Sequence, residues 1–159
     1  MAAIKLHQEI MINIAKSSRA LALSLLLIAT FSTLVEAGPV SVIVHPDNPL
    51  ASLTMTEVKQ FYTDFRTSWP TGGKVKVYDL PMSDPAREAF SQKVLNKRAQ
   101  DVAMEWANKR ITNTAKNPPV TLRSPVLLQS KVSGNPLAIG YLPQEKVNDA
   151  KVKVVLVIP

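Results

Sequence analysis

Few side chains in this 159-residue sequence stand at a spacing that does chemistry. The segment with the clearest ligand logic is Tyr78-Asp79-Leu80-Pro81-Met82-Ser83-Asp84, which leaves a strand and runs into the start of a helix carrying Arg87. Ligands of α/β sheets collect beyond the carboxyl ends of strands, and the free N–H groups of a helix start attract anions. Ser83 is placed to donate to such an anion and Arg87 to neutralise it. Asp84, however, takes the N-cap position and repels negative charge. The favoured reading of these residues alone is therefore a capped helix with Arg87 exposed. Any anion that is held is expected at Ser83 and Arg87, and weakly.

Other chemistries find less support. His45 is the only histidine after residue 37, and no carboxylates stand at ligand spacing around it, so no metal site is expected. A Ser-His-acid triad is formally available, but nothing resembles a nucleophile elbow, and His45 reads as a turn histidine at a strand end. Asp79, Asp84 and Glu88 could form paired carboxylates, yet loop, N-cap and first-turn roles account for them. Thr71-Gly72-Gly73-Lys74 lacks the spacing of a phosphate loop and precedes a strand. The absence of cysteine excludes disulfides, thiolate metal sites and a thiol nucleophile. Phe61, Tyr62, Phe65 and Trp69 are close together, with Phe61 and Phe65 on one helical face. Packing against a sheet is their expected role, and a stacking platform for sugars or bases ranks well behind it. No catalytic residue and no cofactor is expected, and an enzyme is the least favoured class.

The elements that position these residues follow from pattern and turn chemistry. Val40 to Val44 is a β-branched strand closed by His45-Pro46-Asp47-Asn48-Pro49. Thr54 and Glu57 have capping-box spacing ahead of a helical stripe through Val58, Phe61, Tyr62 and Phe65. Lys74 to Tyr78 alternates as a second strand. Asp84-Pro85 opens a helix that buries Ala86, Ala89, Phe90 and Val94. A further helix after Asn96 carries Ala99, Val102, Ala103, Trp106, Ala107 and Arg110 on one stripe. Val120 to Leu122 suits a short strand, Pro125 to Val132 a short helix, and Ala138-Ile139-Gly140-Tyr141 a brief strand. The end of the chain places Val152, Val154, Leu156 and Ile158 on one face. Strands alternating with helices predict an α/β fold with a mixed, mainly parallel sheet flanked by helices.

The first 37 residues read differently. Lys16 and Arg19 precede the uncharged run Ala20 to Phe31, and Val35-Glu36-Ala37 follows, which is the order of a secretory signal peptide. The run is shorter than the ~20 residues that cross a bilayer core. Cleavage is expected after Ala37, with Met1 and Met11 both open as starts. That leaves residues 38–159 as one domain with no membrane span, in the periplasm. The whole chain has 19 basic and 12 acidic residues, hence +7, and the part after Ala37 keeps +6. The basic residues are scattered, and an exported protein rarely meets nucleic acid, so solubility, envelope surfaces or anionic ligands are the expected uses of this charge.

The order of the pieces carries a family resemblance. Leu53-Thr54-x-x-Glu57-x-x-x-Phe61 is followed by Trp69-Pro70-x-Gly72-Gly73, then Arg87-x-x-Phe90 with Val94-Leu95, Trp106, Pro118-Pro119 and Ala138-Ile139-Gly140-Tyr141. Together these resemble the periplasmic phosphate-binding proteins of ABC transporters, in particular small single-lobe relatives, over about residues 40 to 143. The resemblance implies a type-2 periplasmic-binding-protein lobe. Full-length members have two lobes and hold phosphate in the cleft between them, and this chain has the size of one. The family places an Arg and a Ser-Gly-Thr run ahead of the helix that contains the Phe. Here Asp79 or Leu80 stands for that Arg and the Ser-Gly-Thr run is absent, while Ile111-Thr112-Asn113 replaces a Phe-x-Gly after Trp106. Arg87, Phe90 and the Ile-Gly-Tyr positions match. The resemblance thus implies a solute-binding-like domain with a small, phosphate-like anion held weakly, or an accessory role beside a transporter or sensor partner. A ligand-free envelope interaction module is the alternative, and an envelope hydrolase ranks last.

The charged, apolar and small-residue order of residues 16 to 37 predicts that the exported protein begins at Gly38. N-terminal sequencing of protein recovered from the periplasm checks this, and a chain still beginning at Met1 or Met11 there would refute it.

Overall fold

The computed structural model describes residues 38–159, and the expected signal segment lies outside them. β1 (Val40–Val44) leads through the His45–Pro49 turn to α1 (Met55–Tyr62). Thr54 and Glu57 form the expected capping box: the Thr54 hydroxyl accepts the Glu57 N–H at 3.2 Å, and the Glu57 carboxylate accepts the Thr54 N–H at 2.8 Å. β2 (Lys76–Asp79) precedes α2 (Pro85–Phe90), which Asp84 caps by accepting the Ala86 N–H at 2.9 Å. A π-helical turn, Ser91–Leu95, widens the end of α2 and stops at Asn96 in the left-handed conformation, φ 57°. α3 (Ala99–Ile111), β3 (Val120–Thr121), α4 (Pro125–Ser133), β4 (Ala138–Pro143) and β5 (Lys153–Ile158) complete the chain.

The strands form one five-stranded sheet in the order β3-β2-β4-β1-β5. β2 pairs in parallel with both β3 and β4, and β1 pairs antiparallel with both β4 and β5. The sheet is mixed, as expected, but not mainly parallel: two pairings are parallel, at the β3-β2-β4 end, and two antiparallel, around β1. β1 is buried along its whole length, and so is β4 up to Leu142. Strands covered on both faces need apolar residues at every position, and Val40–Val44 and Ala138–Leu142 come close to that pattern.

The two faces of β4 are covered by different helices. Successive residues of a strand point to opposite faces. Gly140 faces α4, where a Cβ on it would stand 2.5 Å from Leu128 Cδ2 and 3.3 Å from Val132 Cγ2. Tyr141 faces the other way, against Phe90 of α2 and Tyr62 of α1. The Trp-Pro-x-Gly-Gly stretch docks at the entry to β4. Gly72 and Gly73 turn the chain at φ 97° and 87°. Ser68 then bridges to Lys74, and the Trp69 indole N–H donates to the Leu137 carbonyl at 3.0 Å. Trp69 also packs on Phe61 with ring centroids 4.9 Å apart.

Two further expectations are corrected. Phe65 does not share the buried face of Phe61. α1 ends at Tyr62, Asp64 takes φ 67°, and this left-handed residue turns Phe65 outward to 88% exposure. The face predicted for the last strand is also interrupted. Val42 pairs with Leu156 but Ile43 pairs with Val154, so Val155 is an extra residue and forms a bulge. Val155 and Ile158 are buried, while Val154 and Leu156 are half-buried. A bulge resets the two-residue period, which simple alternation does not anticipate.

Because Leu128 and Val132 are wholly buried, a methyl group at Gly140 has no space to enter without displacing the Leu128 side chain in a packed core. Gly140→Ala is expected to lower stability by about 1–3 kcal/mol, the usual cost of overpacking a core. Urea unfolding measures this, and a neutral substitution would show that Leu128 yields freely.

Candidate functional site

Asp79 is the last residue of β2 and only 3% exposed. Burying a carboxylate costs several kcal/mol unless donors and a countercharge meet it. Three donors do. Its Oδ1 accepts the Leu80 N–H at 2.9 Å and also the Tyr141 hydroxyl, and its Oδ2 pairs with Arg87 Nη1. Arg87 is 5% exposed, which corrects the expectation of an exposed arginine on a capped helix. The reason is its position on α2. Arg87 and Phe90 are three residues apart and share a helix face, so the face that sends Phe90 into the core also sends the guanidinium to Asp79.

Aromatic rings close over this pair. Phe90 stacks flat on Tyr141, with centroids 4.0 Å apart and planes 1° from parallel. Tyr62 tilts against Phe90 at 4.6 Å, and its hydroxyl donates to the Tyr78 carbonyl at 2.8 Å. Burial pushes the pKa of both tyrosine hydroxyls well above the ordinary range, and the nearby Arg87 charge only partly offsets it. Both therefore stay protonated, and Tyr141 remains a donor to Asp79.

Asp79 and Arg87 form one wall of a cleft of about 290 Å³ at the carboxyl ends of β2 and β3. Trp106 and Arg110 of α3 and Thr121 of β3 complete it. The Arg87 Nε is buried and has no hydrogen-bond partner. Arg110 is exposed, with one guanidinium nitrogen 3.4 Å from the Pro119 carbonyl. Asp64 fixes the loop ahead of this wall. Its carboxylate accepts the Lys116 N–H at 3.0 Å and the Asn117 N–H at 2.9 Å, and the Asn117 side chain donates to the Val75 carbonyl at 2.8 Å.

Of the two residues expected to hold an anion, Arg87 lines the cleft, whereas Ser83 is exposed on the adjoining loop and does not line it. Trp106, Arg110 and Thr121 were not expected beside Arg87, since they come from elements far away in sequence. The role of Tyr141 was equally hidden. Only the Arg87-x-x-Phe90 spacing carried a signal that Arg87 turns inward. His45 ends β1, where its Nδ1 accepts the Asp47 N–H at 3.1 Å. Among the described residues no cluster of three metal-ligating side chains occurs, and no helix is long and apolar enough to cross a membrane.

Chemically, the cleft offers guanidinium and hydroxyl donors beside a carboxylate whose lone pairs are already engaged. That set can attract an oxyanion, with the Asp79 charge opposing it.

No family model and no curated protein sequence matches the chain. Solved structures do. The fold is similar to a phosphate ABC transporter substrate-binding protein from Clostridium perfringens solved with phosphate bound, at 25% identity and a TM-score of 0.58, over 76% of this chain and 46% of that one. It is similar to an ABC-type phosphate transport receptor from Vibrio cholerae, at 17% identity and a TM-score of 0.58, over 73% and 44%. PstS from Borrelia burgdorferi is alike at 14% identity and a TM-score of 0.55, over 73% and 46%. The resemblance read from the sequence to phosphate-transport binding proteins thus holds in three dimensions, and the chain spans less than half the length of each of these neighbours.

Removing one member of a buried ion pair strands the other. Arg87→Met is therefore expected to cost about 3–5 kcal/mol, and the double substitution Asp79→Leu with Arg87→Met much less than the sum of the singles. A double-mutant cycle by urea unfolding reads this coupling, and additive costs would mean that the pair does not act as a unit.

Proposed function

We propose that the chain is a non-enzymatic, extracytoplasmic lobe, residues 38–159, that takes a small oxyanion such as phosphate weakly in the Asp79–Arg87 cleft and acts beside a transport or sensing partner. The fold likeness to phosphate-transport binding proteins supports the ligand class and the location. The observation that carries the weakness is the pairing of Arg87 with Asp79, which neutralises inside the protein the cation an anion would need. The missing Arg and Ser-Gly-Thr donors act in the same direction. Ser83 is exposed on the adjoining loop and does not line the cleft.

A cleft covering one side of an anion leaves the other side in water. A second lobe, whether another copy or a partner chain, would be needed to enclose it and raise the affinity. The same internal neutralisation favours a second reading, in which the lobe is kept as a ligand-free interaction module.

Isothermal titration with phosphate, sulfate and small carboxylates separates the two. The first reading expects a phosphate Kd no tighter than about 1 mM, set against ~1 μM for a competent site. Asp79→Asn releases Arg87 and is expected to tighten phosphate about ten-fold, while Arg87→Gln abolishes the binding. Absence of any anion binding, in Asp79→Asn as well, would favour the interaction module. A sub-micromolar phosphate affinity, or an affinity unchanged in Arg87→Gln, would overturn the assignment of the site.

A further inference from the structure

A second cavity, of about 210 Å³, opens between α1, the Ser91–Leu95 turn and α3. It shares a single residue, Trp106, with the Asp79–Arg87 cleft. Its interior is apolar: Tyr62, Leu95, Val102 and Trp106 are all buried and supply the walls. Its rim is basic. Lys59, Lys97 and Lys109 stand there against one acid, Glu105, and Lys97 already pairs with that acid.

The lysines are not equivalent. Lys109 lies over the Trp106 ring, its Nζ 4.6 Å from the centroid, and donates to the Thr63 carbonyl at 3.2 Å, with Asp64 at 3.8 Å. Lys59 is half-buried and has no carboxylate within ion-pair distance among the described residues. With Lys97 paired to Glu105 and Lys109 close to Asp64, Lys59 is the cation without a carboxylate partner among the described residues, and it leaves the rim positive beside an aromatic wall. Such a rim favours an anion, and such a wall favours a flat apolar body.

Size narrows the class further. An apolar cavity of about 150 Å³ holds one benzene ring, so this one has room for a ring with a short acidic arm. An inorganic oxyanion would leave the apolar walls unused, and a neutral ring would leave the lysines unused. We propose that this cavity binds a small aromatic carboxylate, with its ring among Leu95, Val102 and Trp106 and its carboxylate at Lys59. The site is separate from the oxyanion cleft and does not depend on that reading.

Titration of the protein with phenylacetate, followed by tryptophan fluorescence and by heat, tests this. Trp106 lines the cavity and Trp69 does not, so a fluorescence change reports on Trp106, and competition with phosphate separates this cavity from the Asp79–Arg87 cleft that Trp106 also lines. Saturable binding with a Kd of about 1 mM or tighter is expected, with phenylacetamide at least about ten-fold weaker for want of the charge. Lys59→Gln, a change on a half-buried surface side chain that leaves the core intact, is expected to weaken phenylacetate about five-fold or more, and excess phosphate should not displace it. Any of three results would overturn the proposal: no saturation by about 10 mM phenylacetate, equal affinity for phenylacetamide together with an unchanged Lys59→Gln variant, or displacement by phosphate, which would place the ligand in the Asp79–Arg87 cleft instead.

Discussion

The structure turns on one buried carboxylate. Asp79 ends β2 at a point where the sheet, α2 and the aromatic layer meet, and it is almost wholly buried. A lone charge there would be untenable, and three neighbours meet it: β4 supplies the Tyr141 hydroxyl, α2 the Arg87 guanidinium, and the chain just beyond β2 the Leu80 N–H. The demand for a guanidinium at that place requires α2 to start close to the strand end, and the Asp84 cap with Pro85 starts it there. Phe90, one turn of α2 on from Arg87, then stacks flat on Tyr141, the donor to Asp79. The arrangement links three elements through a single interaction, which is the setting in which buried polar groups act as a unit.

Around that centre, the backbone is held by devices that are each local but act at long range. Gly140 lets α4 lie close on β4, because any larger residue would strike Leu128. The Gly72-Gly73 turn brings Trp69 back to the start of the same strand, and the indole N–H fastens it to Leu137. Asp64, in a left-handed conformation after α1, gathers two N–H groups of the Lys116–Asn117 loop. That loop leads into Pro119 and β3, so the far wall of the cleft is positioned by a residue that itself lies outside it.

The functional character follows from how charge is distributed over these walls. The deepest cation in the cleft, Arg87, is spent on Asp79, in a fold similar to that of phosphate-transport binding proteins. The neighbouring cavity is the reverse case: its cations stand at the rim, its interior is apolar, and its one acid is already paired. Trp106 lines both, so one side chain stands between two environments of opposite charge arrangement.

Much of the fold was legible in the residues themselves. The capping box at Thr54, the Asp84-Pro85 helix start, the β-branched run at Val40–Val44 and the Ile-Gly-Tyr strand are all local signals, since caps, turns and side-chain periods depend on residues within a few positions of one another. Their order was enough to place the chain beside the phosphate-transport binding proteins. The candidate site was legible only at Arg87, and even there the outward orientation was favoured, because nothing near Arg87 in sequence shows that a buried carboxylate awaits it. Phe65 and the last strand failed for a related reason: a left-handed residue at Asp64 and an extra residue at Val155 reset the period without leaving a mark in composition. The sequence by itself determined which segments become strands and helices and which residues cap them. Only the tertiary structure decided that Asp79, Arg87 and Tyr141 meet, and that Trp106 lines two cavities, because Tyr141 lies 62 residues from Asp79 and the cavity walls come from separate elements, whose proximity is set by sheet order and helix packing rather than by any local pattern.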